Sequence, residues 1–216
     1  MSVALVPVKR LRSGKSRLVA DFGRGTVEKL TLAMLEDLVE ALSGVREVER
    51  IAVVTPDAAV ARAAGAFGAD PLLQRVPGLN PSLDAAAARL AKEGTRELLV
   101  MLGDVAGALP EEIGELFAAL RELGGSGVVL APARDGGTGA LLRAPHDAIP
   151  SRFGPESAES HRELAALAGV DFRELALPSL SVDLDCRDDI DAFLAQPGGG
   201  PRTRALLHGL GLGPGA

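Results

Sequence analysis

Glu97-Leu-Leu-Val-Met-Leu-Gly-Asp104 is the stretch that decides the fold. An unbroken apolar run, Leu98 to Leu102, stops at Gly103 and gives way at once to a carboxylate. A short run of this kind, flanked by turn residues, reads as a strand buried on both faces, as in a parallel sheet. Ligands of such sheets gather beyond the carboxyl ends of the strands. Asp104 therefore stands where a site is expected.

Upstream, Val3–Val8 reads as the first strand, followed by the cationic loop Lys9-Arg-Leu-Arg-Ser-Gly-Lys-Ser-Arg17. Residues 26–43 carry Leu30, Met34, Leu35, Leu38 and Leu42 on one helical face, with Thr26 as a cap and Gly44 as the stop. Arg50–Thr55 is a second strand, Asp57–Ala64 a helix, Asp70–Gln74 a third strand and Pro81–Lys92 a helix. Downstream, Pro110 opens a helix lined by Ile113, Leu116, Phe117, Leu120 and Leu123 and ended by Gly124-Gly125. Gly127–Ala131 and Ala140–Arg143 are further strands, and Ala158–Ala168 is a helix. Arg173–Leu177 and Ser181–Leu184 are short strand candidates, and Arg187–Ala195 is a last helix. The early alternation of strand and helix predicts an α/β fold, a mainly parallel sheet with helices on both faces. One domain is expected over residues 1–196. Residues 197–216 hold seven of the 26 glycines and read as a loosely ordered tail.

Bulk properties narrow the function. The 216 residues are 47% hydrophobic but only 3% aromatic, with no Trp or Tyr. That composition argues against stacking platforms for single-stranded nucleic acid. The net charge of −6 argues against nucleic acid as a partner and leaves one compact basic loop suited to a small anion. The opening apolar stretch is too short for a secretory signal, and no run approaches a membrane span. Cys186, the single cysteine, excludes an intrachain disulfide and fits a cytoplasmic location. Oligomeric state is left open.

Several short motifs carry chemistry. The loop sets five cations, Lys9, Arg10, Arg12, Lys15 and Arg17, around Gly14, which lets the backbone turn close to a phosphate. Gly14-Lys15-Ser16 ends like a P-loop, but that motif needs glycine where Lys9 stands. Asp183 and Asp185 alternate with Val182 and Leu184, so on a strand both carboxylates share a face and can meet Asp104 around hard cations. The alternative is a solvated acidic patch. Asp188 and Asp189 read as helix-start acids. Asp135-Gly-Gly-Thr-Gly139 offers the Thr138 hydroxyl, and Phe153-Gly-Pro-Glu-Ser157 places Gly154 and Ser157 at a helix start, together a second anion pocket. His161 follows four residues later and either lines that pocket or packs. Asn80 is either a guanine contact or a helix cap.

Taken together, these segments resemble the CofC/FbiD family of guanylyltransferases of coenzyme F420 biosynthesis. The likeness runs through Val6-Pro-Val-Lys-Arg-Leu11, Gly14-Lys-Ser-Arg-Leu18, Leu102-Gly-Asp-Val105, the two glycine turns with His161, and Val182-Asp-Leu-Asp185. The resemblance implies a single-domain, Rossmann-like nucleotidyltransferase-A fold. It implies transfer from GTP to phosphoenolpyruvate, 2-phospho-L-lactate or 3-phospho-D-glycerate, with release of pyrophosphate. It implies two Mg²⁺ on Asp104, Asp183 and Asp185, and the phosphorylated acid on Thr138, Gly154 and Ser157. The triphosphate falls to the loop with Lys9, Gly14 and Lys15, with Asp104 and Lys15 assigned to catalysis. Glu156 departs from the pattern, standing where glycine is usual and placing a negative charge beside the anion site. The competing expectations are a sugar-phosphate or molybdopterin nucleotidyltransferase of the same fold, and a non-catalytic nucleotide-binding module.

Overall fold

The computed structural model describes residues 1–213. Its elements are β1 (Ser2–Pro7), α1 (Ser16–Phe22), α2 (Arg24–Ser43), β2 (Arg50–Thr55), α3 (Ala58–Ala66), β3 (Asp70–Leu73), α4 (Leu79–Lys92) and β4 (Glu97–Met101). Then follow α5 (Pro110–Glu122), β5 (Gly127–Pro132), β6 (Thr138–Ala144), α6 (Ser157–Ala168), β7 (Phe172–Glu174), α7 (Arg187–Ala195) and α8 (Pro201–Gly209). The strands form one sheet in the order β3-β2-β1-β4-β6-β5-β7. Among the described strands only β6 runs against its neighbours, β4 and β5. The fold is thus the mainly parallel α/β sandwich expected, with a single reversed strand inserted between β4 and β5.

The period-2 alternation of the strands builds a core on each face. Ala4, Val6, Val53, Leu99, Met101 and Leu142 point to one side and meet Leu35, Leu38 and Leu42 of α2 and Ile113, Leu116 and Phe117 of α5. Val3, Leu5, Val54, Leu98, Val100 and Leu141 point to the other and meet Leu83 and Leu90 of α4 and Ala158 and Ala165 of α6. A third cluster lies off the sheet. Leu18 of α1, Leu30 and Met34 of α2, Ile190 and Phe193 of α7 and Leu207 of α8 close over Val182 and Leu184.

Four local expectations are corrected. Residues 181–184 do not pair as a strand; the segment is irregular and is held by that third cluster. Thr26 is no cap, because α2 begins at Arg24 behind Gly23. The loop expected over residues 9–17 ends at Lys15, where α1 starts. The tail is also not loosely ordered throughout, since α8 forms within it. The Asp37 carboxylate, buried on α2, accepts from the main-chain N–H groups of Arg202 at 3.1 Å and Thr203 at 2.8 Å. Helix starts leave such donors unsatisfied, and here the cap comes from a distant helix rather than from the local chain. Part of the expected tail, residues 214–216, lies outside the described residues.

Candidate active site

The carboxyl ends of β1 and β4 open into a cleft of about 750 Å³. Its lining includes Lys9, Gly14 and Arg17 of the N-terminal segment, Asp104, Asp183 and Asp185 with Lys15 among them, and Thr138, Gly154 and Ser157.

Asp104 reaches the cleft because Gly103 lets the chain pass tightly by β1. A Cβ on Gly103 would fall 2.9 Å from Val8 Cγ2 and 3.3 Å from the Pro7 carbonyl oxygen. The Asp104 carbonyl accepts from Leu184 N–H at 3.3 Å, which ties the downstream segment to the end of β4. Val182 and Leu184 are buried, so the alternating Asp183 and Asp185 are left to face the cleft. The expected juxtaposition therefore forms, through burial of the intervening residues instead of strand pairing. One carboxylate oxygen from each of the three aspartates lies within 4.8 Å of the others. Asp189, at the start of α7, accepts from the N–H groups of Asp185 at 3.1 Å and Cys186 at 2.8 Å, and so orients the Asp185 segment. Asp189 has the helix-start role expected of it.

The cluster is short of positive charge. Burial, together with Asp104, Asp135 and Asp185, pushes the Asp183 carboxyl up to about 6. Asp104 Oδ1 is buried with no hydrogen-bond partner in the protein. All three groups offer hard oxygen donors, the set that Mg²⁺ prefers, so these residues fit a divalent ion.

One cation of the chain already sits among them. Lys15 Nζ donates to Asp104 Oδ2 at 3.0 Å, Asp185 Oδ1 at 2.9 Å and the Leu184 carbonyl at 2.6 Å. Burial opposes its charge, but Asp104 and Asp185 outweigh that and hold the ammonium above its ordinary pKa. Burial likewise works against ionised Asp185, yet Lys15 holds that carboxyl below its usual range. Lys15 is reached by a left-handed backbone (φ 52°), which is uncommon for a residue with a side chain. Two residues outside the sequence reading hold this loop in place. Arg24 donates to the carbonyls of Leu11 at 3.2 Å and Gly14 at 3.0 Å, and Asp57 accepts from Leu11 N–H at 3.1 Å.

At the far end the groups are neutral. Thr138 begins β6 and Ser157 begins α6, and their hydroxyls meet at 2.9 Å. Thr138 Oγ1 also lies 3.1 Å from His161 Nδ1. His161 does not line the cleft; it is fully buried behind the hydroxyl pair. Asn80 does not face the cleft either. Its amide donates to the Phe153 carbonyl at 3.0 Å and accepts from Phe153 N–H at 2.7 Å. Asn80 is therefore no cap, since α4 follows Gly78; it braces the turn that carries Gly154. Glu156 occupies a left-handed conformation (φ 51°), which explains why glycine suits that position. Its carboxylate lies against Gly136, and Glu156 is absent from the cleft lining. The extra negative charge expected beside the anion site is turned away from it.

Comparison with known proteins identifies the family and the fold. The chain is 37% identical over 191 residues to phosphoenolpyruvate guanylyltransferase of Sphaerobacter thermophilus, covering 88% of this chain and 91% of that one. It is 40% identical over 203 residues to phosphoenolpyruvate guanylyltransferase of Rubrobacter xylanophilus, covering 92% and 96%. A crystal structure from Desulfovibrio desulfuricans G20, described as a nucleotide-diphospho-sugar transferase, superposes with a TM-score of 0.77 at 20% identity, covering 97% and 95%. That likeness establishes the fold. Residues 2–213 match the family described as guanylyl transferase CofC like, and with such relatives along nearly its whole length the chain belongs to that family of guanylyltransferases.

Proposed function

We propose that the chain joins GTP to phosphoenolpyruvate, releasing pyrophosphate, in coenzyme F420 biosynthesis in the cytoplasm. One observation carries the reading. A single cleft runs from a cationic loop, past three convergent carboxylates, to a buried hydroxyl pair at a helix start. The names of the relatives favour phosphoenolpyruvate over phospholactate or phosphoglycerate as the acceptor.

Lys9, Gly14, Lys15 and Arg17 would receive the triphosphate, whose charge is spread over three groups. Thr138, Ser157 and the Gly154 main chain would receive the phosphate of the acid at the start of α6, where the helix dipole favours an anion. Asp104, Asp183 and Asp185 would hold Mg²⁺, two ions in the family's reading. The metal, when bound, supplies charge neutralisation to the phosphate oxygens.

An oxygen of the acceptor phosphate attacks the α-phosphorus of GTP. A new P–O bond forms, the bond from the α-phosphorus to the bridging oxygen breaks, and the electron pair leaves on pyrophosphate. The attacking oxygen is already ionised at neutral pH, so the chain needs no general base. Its task is to align two anions that repel each other and to stabilise charge on the leaving group. Lys15 is the protein cation nearest the carboxylates and is suited to the second task.

The test is an acceptor panel with each nucleoside triphosphate and Mg²⁺, read by pyrophosphate release and by mass spectrometry. A guanylylated phosphoenolpyruvate is the expected product. Transfer to sugar phosphates or molybdopterin alone, or GTP binding with no pyrophosphate from any acceptor, would overturn the proposal.

A further inference from the structure

We infer that His161 is a positioning residue that fixes the direction of the hydrogen bonds between Thr138 and Ser157, so that the pair presents a proton rather than a lone pair to the acceptor phosphate. This rests on the acceptor-pocket reading above.

A main-chain N–H can only donate. Arg152 N–H points at His161 Nε2 from 3.0 Å. Nε2 must therefore be the unprotonated, accepting nitrogen. Burial, reinforced by the Arg143 and Arg152 cations, pushes the imidazole pKa down to about 4, so the ring is neutral at pH 7. A neutral ring that accepts at Nε2 carries its proton on Nδ1. Nδ1–H then donates to Thr138 Oγ1 at 3.1 Å.

The consequence passes along the chain of hydroxyls. With Thr138 Oγ1 accepting from His161, the Thr138 proton turns to Ser157 Oγ at 2.9 Å or into the cleft. If it turns to Ser157, the Ser157 proton is the one released to the cleft. In both cases the cleft end of the relay is a donor. A phosphate monoester anion offers only acceptors, and a reversed relay would set oxygen lone pairs against it. The imidazole is held for this purpose. It is fully buried, and its ring meets Phe153 edge to face at a centroid distance of 5.1 Å. His161 touches neither the cleft nor, on this reading, the substrate.

The first test needs no variant. In the wild-type protein with ¹⁵N-labelled histidine, long-range ¹H–¹⁵N spectra at pH 7 should show His161 as the Nδ1–H tautomer. An Nε2–H tautomer or an imidazolium overturns the inference. The second test separates direction from bracing. In His161→Asn the amide reaches the Nδ1 position and can donate to Thr138, but it cannot reach Arg152. In His161→Gln the amide reaches the Nε2 position and can accept from Arg152, but it leaves Thr138 without its donor. The KM for phosphoenolpyruvate should rise about tenfold or more in His161→Gln and much less in His161→Asn, with the KM for GTP little changed in both. A larger loss in His161→Asn, or equal losses in the two, means that the residue only braces the Arg152 turn, and the inference fails. Thr138→Val and Ser157→Ala run alongside. If neither shifts the KM for phosphoenolpyruvate, the acceptor pocket itself is misplaced; if they shift it and His161→Gln does not, only the role of His161 falls.

Discussion

The two ends of the cleft meet negative charge by opposite means. At the nucleotide end, full charges stand face to face. Lys15 is clamped between Asp104 and Asp185, and burial together with the neighbouring carboxylates raises the Asp183 carboxyl to about 6. At the end proposed for the acceptor no ionised side chain takes part in the hydrogen-bonded relay, which is built from two hydroxyls and a buried, neutral imidazole. The difference follows from what each end must do. On the proposed reaction a triphosphate would arrive with a metal and leave as pyrophosphate, so its partners must exchange one counter-charge for another. A small phosphate must be held in one pose for attack, and prearranged dipoles achieve that without reorganising.

The largest effect should come from breaking the charged end. Asp104→Asn and Asp183→Asn should each lower turnover on the order of a thousandfold, with the circular dichroism spectrum unchanged. Pyrophosphate release measures it, and near-normal rates in both variants would remove the carboxylates from the chemistry.

Lys15→Met probes the exchange of counter-charge. Turnover should fall about a hundredfold, while binding of Mn²⁺ to the nucleotide-free protein should tighten, because the ammonium no longer competes for Asp104 and Asp185. Electron paramagnetic resonance of free Mn²⁺ reads the affinity. Weaker binding in the variant would mean that Lys15 assists the metal instead of standing in its place.

The neutral end predicts a pH dependence of stability. His161 titrates near 4 in the folded protein, below its ordinary value, so the unfolded chain binds the extra proton between about pH 4 and 6.5. The contribution is intact above pH 6.5 and is lost as the pH falls toward 4, by roughly 3 kcal/mol for a shift of this size. Urea unfolding at pH 7 and pH 4.5, in wild type and His161→Asn, should show a shallower fall in the variant. Equal falls would mean that His161 is not held neutral.

The smallest effect is expected at Glu156. Glu156→Gly removes a side chain from a left-handed backbone and should raise stability by at most about 1 kcal/mol. The KM for phosphoenolpyruvate should stay near wild type, since the carboxylate faces Gly136 and not the cleft. A marked fall in that KM would place the charge back beside the acceptor.

Much of this was legible before any coordinates. The apolar run before Asp104, the helical face of Leu30 to Leu42 and the alternation in Val182-Asp-Leu-Asp185 are local patterns, and local patterns report which face of an element is buried. Other features had no local signal. Asn80 sits near a helix start in the sequence, yet its amide is consumed by Phe153. Arg24 and Asp57 look like ordinary surface charges, yet they pin the basic loop. The loose tail expected after residue 196 ignored Asp37, which caps α8 from across the molecule.

The sequence by itself determined the strand-helix alternation, the rim on which Asp104 would stand and the types of donor available to phosphate and metal. It did so because side-chain period and turn chemistry depend on near neighbours. Only the tertiary structure decided that β6 runs backwards between β4 and β5, that Lys15 lies among the carboxylates and that the two ring nitrogens of His161 lie against Thr138 and Arg152. Each of these depends on a partner far along the chain, and the energy of such a pairing is absent from any local window of residues.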